Sequence, residues 1–137
     1  MKCIVLISCV SKKRNYRSRA KDLYISALFQ KKLKFARTFN PNSIFILSAK
    51  YHLVDLEKEI EPYNQTLNDF GVSELRNWAH KTLEQLSQVS NLKSDKFVFL
   101  AGSNYRKYLV SELKNCEIPM EGLKIGQQLQ FLTQKIG

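Results

Sequence analysis

The distribution of apolar residues along the chain predicts a parallel β-sheet covered by helices. Three apolar runs, at 2–8, 43–48 and 96–101, are rich in β-branched and aromatic residues and have the length of strands. Such runs lack the alternation of a half-exposed strand, so they are typical of strands buried on both faces. Helices are predicted between them, at about 19–38, 73–90 and 103–114, with a short extended piece near 116–119 and a last helix from about 125.

Strands that alternate with helices predict an α/β fold. We expect one domain over residues 1–137, built as a three-layer fold in which helices flank a central, mostly parallel sheet. The crossovers between parallel strands are expected to be right-handed.

Each apolar run ends in a small polar cluster. Ligands of open α/β sheets bind beyond the carboxyl ends of the strands, so these clusters are predicted to meet at one site. The candidate substrate-binding residues are Ser8, Cys9, Ser48, Tyr51, Gly102, Ser103 and Tyr105. The segment around Gly102 lacks the lysine of a phosphate-binding loop and the glycine pattern of a dinucleotide site, so no nucleotide cofactor is expected.

The predicted loop at 49–71 is long for a compact domain, and loops of this length are usually functional. Pro62 favours an extended conformation at Glu61 and stiffens a segment that also carries Tyr63 and Asn64, two further candidate substrate-binding residues. A carboxylate held there is suited to orienting water or binding a donor edge of a base. The alternative is a solvated acidic loop that partners the basic part of the chain.

The net charge of +10 is concentrated in the first third of the chain. Residues 1–50 hold twelve Lys and Arg against one acid, Asp22. Basic residues interleaved with aromatic ones suit a phosphate backbone and an unstacked base. We therefore predict nucleic acid, most simply DNA, as the partner, with a solvated helix face as the alternative. The candidate nucleic-acid-binding residues are Lys12, Lys13, Arg14, Tyr16, Arg17 and Arg19.

The cysteines and histidines do not predict a metal site. Three cysteines without Cys-x-x-Cys spacing and two separate histidines form no zinc pattern, and no cofactor is expected. Cys9, at a strand end, is interpreted as a small buried residue or as a nucleophile. No apolar run approaches the roughly 18 residues of a membrane helix, and no signal peptide is visible, so a cytoplasmic location without membrane association is expected.

An ordered set of motifs resembles a family of small bacterial and phage proteins of unknown function. The motifs are Ser8-Cys9-x-x-Lys12-Lys13, Ala20-x-Asp22-Leu23-Tyr24-x-Ser26-x-Leu28-Phe29, Ile46-Leu47-Ser48-Ala49-Lys50-Tyr51-x-Leu53-Val54, Glu61-Pro62-Tyr63 and Gly126-Gln127 before Leu129. The middle motifs are similar to the YaaA peroxide-stress proteins, and the first is similar to a domain of archaeosine synthase. These groups resemble distant members of the uracil-DNA glycosylase-like superfamily, which implies that fold and a chemistry directed at nucleobases.

The chain departs from these relatives in its loops. Ser8-Cys9-Val10-Ser11-Lys12 stands where typical uracil-DNA glycosylases have a Gln-Asp-Pro-Tyr-type loop, and Gly102-Ser103-Asn104-Tyr105 stands near their His-Pro-Ser-type loop. His52 stands where the small family usually has glycine. The resemblance therefore implies the fold more strongly than it implies uracil specificity.

The leading functional prediction is a nucleic-acid-processing enzyme of the DNA glycosylase type that acts on a flipped, modified or damaged base. Cleavage of the glycosidic bond needs a group that orients water or stabilises the cationic sugar, and a donor for the departing base. The candidate catalytic residues are Asp22 and Glu61 for the first role and Lys12 and Lys50 for the second, with a lysine nucleophile as a variant. Ser48 and Tyr63 are alternative donors for the departing base. The alternatives are a DNA- or RNA-binding protein without catalysis and an enzyme that modifies nucleobases in RNA.

Overall fold

The structure, a computed structural model, describes residues 1–8 and 12–136. Its elements, in chain order, are β1 (Cys3–Ser8), β2 (Ser18–Arg19), α1 (Ala20–Leu23), α2 (Ala27–Arg37), β3 (Ser43–Ser48), β4 (His52–Asp55), β5 (Glu59–Ile60), a 3-10 turn (Leu67–Asp69), α3 (Val72–Val89), β6 (Lys96–Leu100), α4 (Ser103–Val110), β7 (Asn115–Glu117) and α5 (Ile125–Ile136).

The central sheet has five strands in the order β4-β3-β1-β6-β7. β1 pairs in parallel with β3 and with β6, β6 pairs in parallel with β7, and only the edge strand β4 runs antiparallel, against β3. The prediction of an α/β fold with a mostly parallel central sheet is confirmed. A separate antiparallel pair, β2 with β5, lies outside this sheet.

β1 is the centre of the core. All four residues from Ile4 to Ile7 have no exposed surface. Successive side chains of a strand point to opposite faces, so this burial requires a helical layer on each side of the sheet. The helices form two groups: α2 packs on α5 through Phe35 and Phe131, and α3 packs on α4 through Trp78 and Tyr105.

The prediction of one helix over 19–38 was wrong, because the chain breaks between α1 and α2. Tyr24 is extended and forms an isolated antiparallel bridge with Lys13. Ser26 then begins α2 as its N-cap, with its hydroxyl accepting a hydrogen bond from the Phe29 amide at 3.2 Å. The apolar residues on either side of this break do not form one continuous buried face. Tyr24 is fully buried, whereas Ala27 is exposed.

The prediction of a structureless loop over 49–71 was also wrong. β4 adds an edge strand to the central sheet, β5 pairs with β2, and a 3-10 turn precedes α3. The backbone amides of Ala20 and Lys21 donate to the carbonyls of Lys58 and Leu56, at 2.8 and 2.9 Å. The segment is thus bonded through its backbone to the basic part of the chain at residues 56–60.

Among residues 1–8 and 12–136, the helices are all too short or too polar to cross a membrane. The same residues contain no cluster of three or more His, Cys, Asp or Glu side chains able to hold a metal ion. Cys3 and Cys116 are free thiols, and burial raises the pKa of Cys116.

His52 begins β4 with a φ of 69°, in the left-handed region that favours glycine. Glycine is the residue that adopts this conformation without strain. The imidazole stacks on Trp78 with the ring centroids 6.3 Å apart, so packing accompanies the backbone strain.

We expect His52→Gly to be more stable than His52→Ala by about 1 kcal/mol, because both remove the stacking and only glycine relieves the left-handed strain. The measurement is the free energy of unfolding in urea. Thr38, which ends α2 with a φ of −68°, is the control. At Thr38 the order of stability should reverse, with Thr38→Gly less stable than Thr38→Ala. If glycine were the more stable replacement at both positions, the inference of left-handed strain at His52 would be contradicted.

Asp95 joins the chain start to the turn before β6. Its buried carboxylate accepts hydrogen bonds from the backbone amides of Asn91 and Lys2, both at 2.8 Å. These two bonds, first that from Asn91, hold the pKa of Asp95 below its ordinary value.

Because the pKa of Asp95 is lower in the folded state than in the unfolded chain, the carboxylate stabilises the folded protein at pH values above the unfolded aspartate pKa of about 3.9. This stabilisation is lost as the pH falls through the folded-state pKa. We expect Asp95→Asn to be less stable than the parent at neutral pH, with the difference narrowing below about pH 4. Thermal unfolding between pH 7 and pH 2.5 measures this. A difference that stays constant with pH would show that the bonds do not depend on the charge.

Candidate functional site

The sheet topology places a cleft between the carboxyl ends of β1 and β6. The chain leaves β1 towards β3 on one side and leaves β6 towards β7 on the other. Ligands of open α/β sheets bind where neighbouring strands diverge in this way. A cleft of about 440 Å³, which we call the switch-point cleft, opens there. Its lining includes Ser8, Phe29, Lys32, Asn68, Gly102, Tyr105 and Gln128.

Ser8 and Gly102 are brought together as the sequence predicts. The Gly102 amide donates to Ser8 Oγ at 3.1 Å across the strand ends. Gly102 is also the N-cap of α4, and it supplies no side-chain cap to the helix. The start of α4 therefore adds partial positive charge at the cleft.

Tyr105 lines the cleft, but its hydroxyl also has a structural role. The phenol oxygen accepts from the Leu67 amide at 3.3 Å and lies 3.5 Å from Thr66 Oγ1. It thereby fixes the 3-10 turn, from which Asn68 reaches the cleft. Ser103, by contrast, is exposed at the start of α4 and is not part of the lining.

Ser48 lies at the same end of the sheet but not in the cleft. It is completely buried. Its carbonyl accepts from Trp78 Nε1 at 2.8 Å and its hydroxyl accepts from the Tyr51 amide at 3.0 Å. Ser48 therefore fixes the turn into β4 and the position of the buried Trp78; the expectation that it shares a cleft with Ser8 and Gly102 was wrong.

Lys32 is a site residue that the sequence interpretation missed. It lies on α2 with 6% of its surface exposed, and its ammonium donates to the Ser8 carbonyl at 3.1 Å. A lysine is almost never so buried without a specific reason. A signal was present: Lys32 is three residues after Phe29 and directly before Leu33, within the apolar stripe of α2.

A second concavity, the basic groove, lies where the predicted nucleic-acid-binding segment faces the proline-stiffened loop. It measures about 490 Å³ and is lined by Lys12, Lys13, Arg14, Asn15, Pro62, Tyr63 and Asn64. The Lys13 ammonium lies 4.5 Å from the centre of the Tyr63 ring. Arg14 lies over the ring of Tyr16, which is 56% exposed.

Buried aromatic residues join the basic groove to the switch-point cleft. The hydroxyls of Tyr24 and Tyr63 are 2.6 Å apart. The Tyr24 ring is 5.1 Å from the ring of Phe29, which lines the cleft. Tyr63 thus lines the groove and contacts the interior through its hydroxyl, and a run of aromatic contacts, Tyr63 to Tyr24 to Phe29, links the two concavities.

The other predicted nucleic-acid-binding residues are held by carboxylates. Arg17 lies 3.7 Å from Glu59 and 3.5 Å from Glu61, and Arg19 lies 3.2 Å from Glu57. Lys21 bonds the same Glu57 at 2.8 Å, which lowers the Glu57 pKa. The acidic loop does partner the basic segment here, so the positive charge left for a ligand is centred on the basic groove.

The four candidate catalytic residues lie outside the lining of the switch-point cleft. Glu61 is exposed and points to Arg17, and Asp22 is half-buried on α1. Lys12 is exposed at the basic groove, and Lys50 is exposed with its ammonium 5.3 Å from the Tyr51 ring. Cys9 falls outside the described residues. The catalytic roles of these residues remain predictions.

Comparison with known proteins found a family model that matches residues 4–134. The chain belongs to this family of unknown function, DUF6884. No curated protein and no solved structure matched the chain. The match covers nearly the whole sequence, and the family has no known function.

Proposed function

We propose that this DUF6884 protein is a nucleic-acid-processing enzyme of the DNA glycosylase type, with a uracil-DNA glycosylase-like fold. It takes a modified or damaged base out of the stack and cleaves its N-glycosidic bond. The observation that supports this most is the run of contacts from Tyr63 through Tyr24 to Phe29, which links the basic groove to the switch-point cleft.

The basic groove suits the sugar-phosphate backbone. Lys12, Lys13 and Arg14 line it, and the exposed ring of Tyr16 lies beside Arg14. Cations supply affinity by releasing condensed counterions, and an aromatic face accepts a base or a sugar without reading sequence.

The switch-point cleft suits the extruded base. Phe29 and Tyr105 supply aromatic walls, and the amides of Asn68 and Gln128 supply polar groups at its edge. Enzymes that act on a base bind it in such a pocket, stacked on apolar side chains and hydrogen-bonded at its edge. Cleavage then needs water on the sugar, for which Asp22 and Glu61 remain the candidates.

A nucleic-acid-binding protein without catalysis is the second candidate. The observation that favours it is the position of Glu61, which is exposed and paired with Arg17 away from the cleft. An enzyme that modifies a nucleobase in RNA would use the same groove and cleft.

We expect the protein to release free base from DNA oligonucleotides that each carry one uracil, hypoxanthine, 8-oxoguanine or 7-methylguanine. The oligonucleotides are tested as single strands and duplexes beside matched RNA, with released base measured by mass spectrometry. Ala27→Trp fills the cleft from an exposed lining position and should abolish release while binding persists.

Ser87→Trp, at an exposed position of α3 beside Met1 and Lys2 at the opposite end of the sheet, is the matched control and should act like the parent. Binding without release from any DNA would favour the binding protein. An altered base that remains in RNA would favour the modifying enzyme.

The basic groove should dominate the salt dependence of DNA binding. The plot of log K against log salt has a negative slope, and each phosphate contact contributes about −0.9 to it. Replacing Lys12, Lys13 and Arg14 with Gln should therefore make the slope shallower by roughly 2 to 3. Fluorescence anisotropy over a salt series measures the slope.

The matched control is the triple variant in which Gln replaces Arg17, Arg19 and Lys21. These side chains already pair with glutamates, so the variant should change the slope by less than about 1. Equal effects of the two triples would show that the ion pairs open on binding and that the whole basic segment contacts DNA.

A further inference from the structure

Lys32 combines three properties that belong to a functional charge. It is almost fully buried, it is the one charged side chain among the described residues that line the switch-point cleft, and its ammonium is anchored 3.1 Å from the Ser8 carbonyl. Burying an ammonium is costly, and an apolar residue at this position of α2 would pack without that cost.

The surroundings of Lys32 increase its effect on a ligand. Phe29 and Tyr105, both buried, give the cleft apolar walls around Lys32, and the start of α4 at Gly102 adds a partial positive charge. In such a site an ion interacts more strongly with a developing charge than it does in water. Lys12 and Lys50 are exposed and lack this advantage.

We propose that Lys32 stabilises the negative charge that develops on the departing base, so that the cleft favours bases that leave as anions. This inference rests on the proposed glycosylase function. When the bond between C1′ and the base nitrogen breaks, its electron pair moves onto the base beside the ammonium. Water adds to C1′ and loses a proton to solvent, and the released base takes up a proton.

The leaving-group charge gives a direct test. Uracil and hypoxanthine leave as anions, whereas 7-methylguanine is cationic in the nucleotide and leaves neutral. Lys32→Met should lower kcat on uracil and hypoxanthine by about 10² to 10³, the usual effect of removing one preorganised donor. It should leave kcat on 7-methylguanine unchanged and KM unchanged for all three. Lys32→Arg should restore part of the loss.

Lys31→Met is the matched control. Lys31 is the neighbouring residue on α2, and its ammonium bonds Thr133 on α5 at 3.0 Å, away from the cleft lining. This variant loses the same charge and should keep wild-type kcat on every substrate. Thermal unfolding checks the fold; if Lys32→Met fails to fold, Lys32→Gln and Lys32→Arg carry the same comparison.

An equal loss on uracil, hypoxanthine and 7-methylguanine would overturn the inference, since it would mean a structural role for Lys32. No loss, a loss confined to KM, or a parent enzyme that releases only 7-methylguanine would also overturn it. In each of these results the parent still releases base, so the glycosylase function stands. A parent that releases no base from any substrate would instead remove the proposed function.

Discussion

The complete burial of β1 from Ile4 to Ile7 is the constraint on which the rest of the structure depends. With β3 on one side, β6 on the other and both faces covered, no residue from Ile4 to Ile7 can carry polar chemistry. The backbone of the strand is satisfied by its neighbours, and its first polar side chain after this apolar run is that of Ser8, the last residue of β1. The same burial explains why Lys32 reaches the end of β1: its long aliphatic stem is buried and its ammonium donates to the Ser8 carbonyl.

The division of the basic segment into two parts follows from the local pairing of the chain. The β2 and β5 strands set Arg17 and Arg19 beside the glutamates of the acidic loop. These exposed ion pairs add little stability, because water and salt screen them. Their effect is on location: they neutralise one end of the segment and leave the charge of Lys12, Lys13 and Arg14 facing the groove.

The core of the fold was predictable from the sequence because its signals are local and strong. The runs at 43–48 and 96–101 are rich in β-branched and aromatic residues, which favour strands. The observed strands β3 and β6 match these runs within one residue. The break at Tyr24 was not predictable from periodicity, since Ala20, Leu23 and Tyr24 fit a continuing helix. It depends on a backbone bridge to Lys13, a contact between segments.

The site was predictable in position and less so in composition. A rule of topology places ligands at the carboxyl edge of the sheet, and that rule finds Ser8 and Gly102. The rule does not distinguish a serine that lines a cleft from a serine that ends a strand beneath a helix. Ser48 ends a strand beneath α3, because Trp78 of that helix donates a hydrogen bond to its carbonyl. Lys32 was overlooked because lysine on a helix is read as solvated. A lysine inside an apolar stripe departs from the pattern of its own helix, and departures of this kind are expected at functional or strained positions.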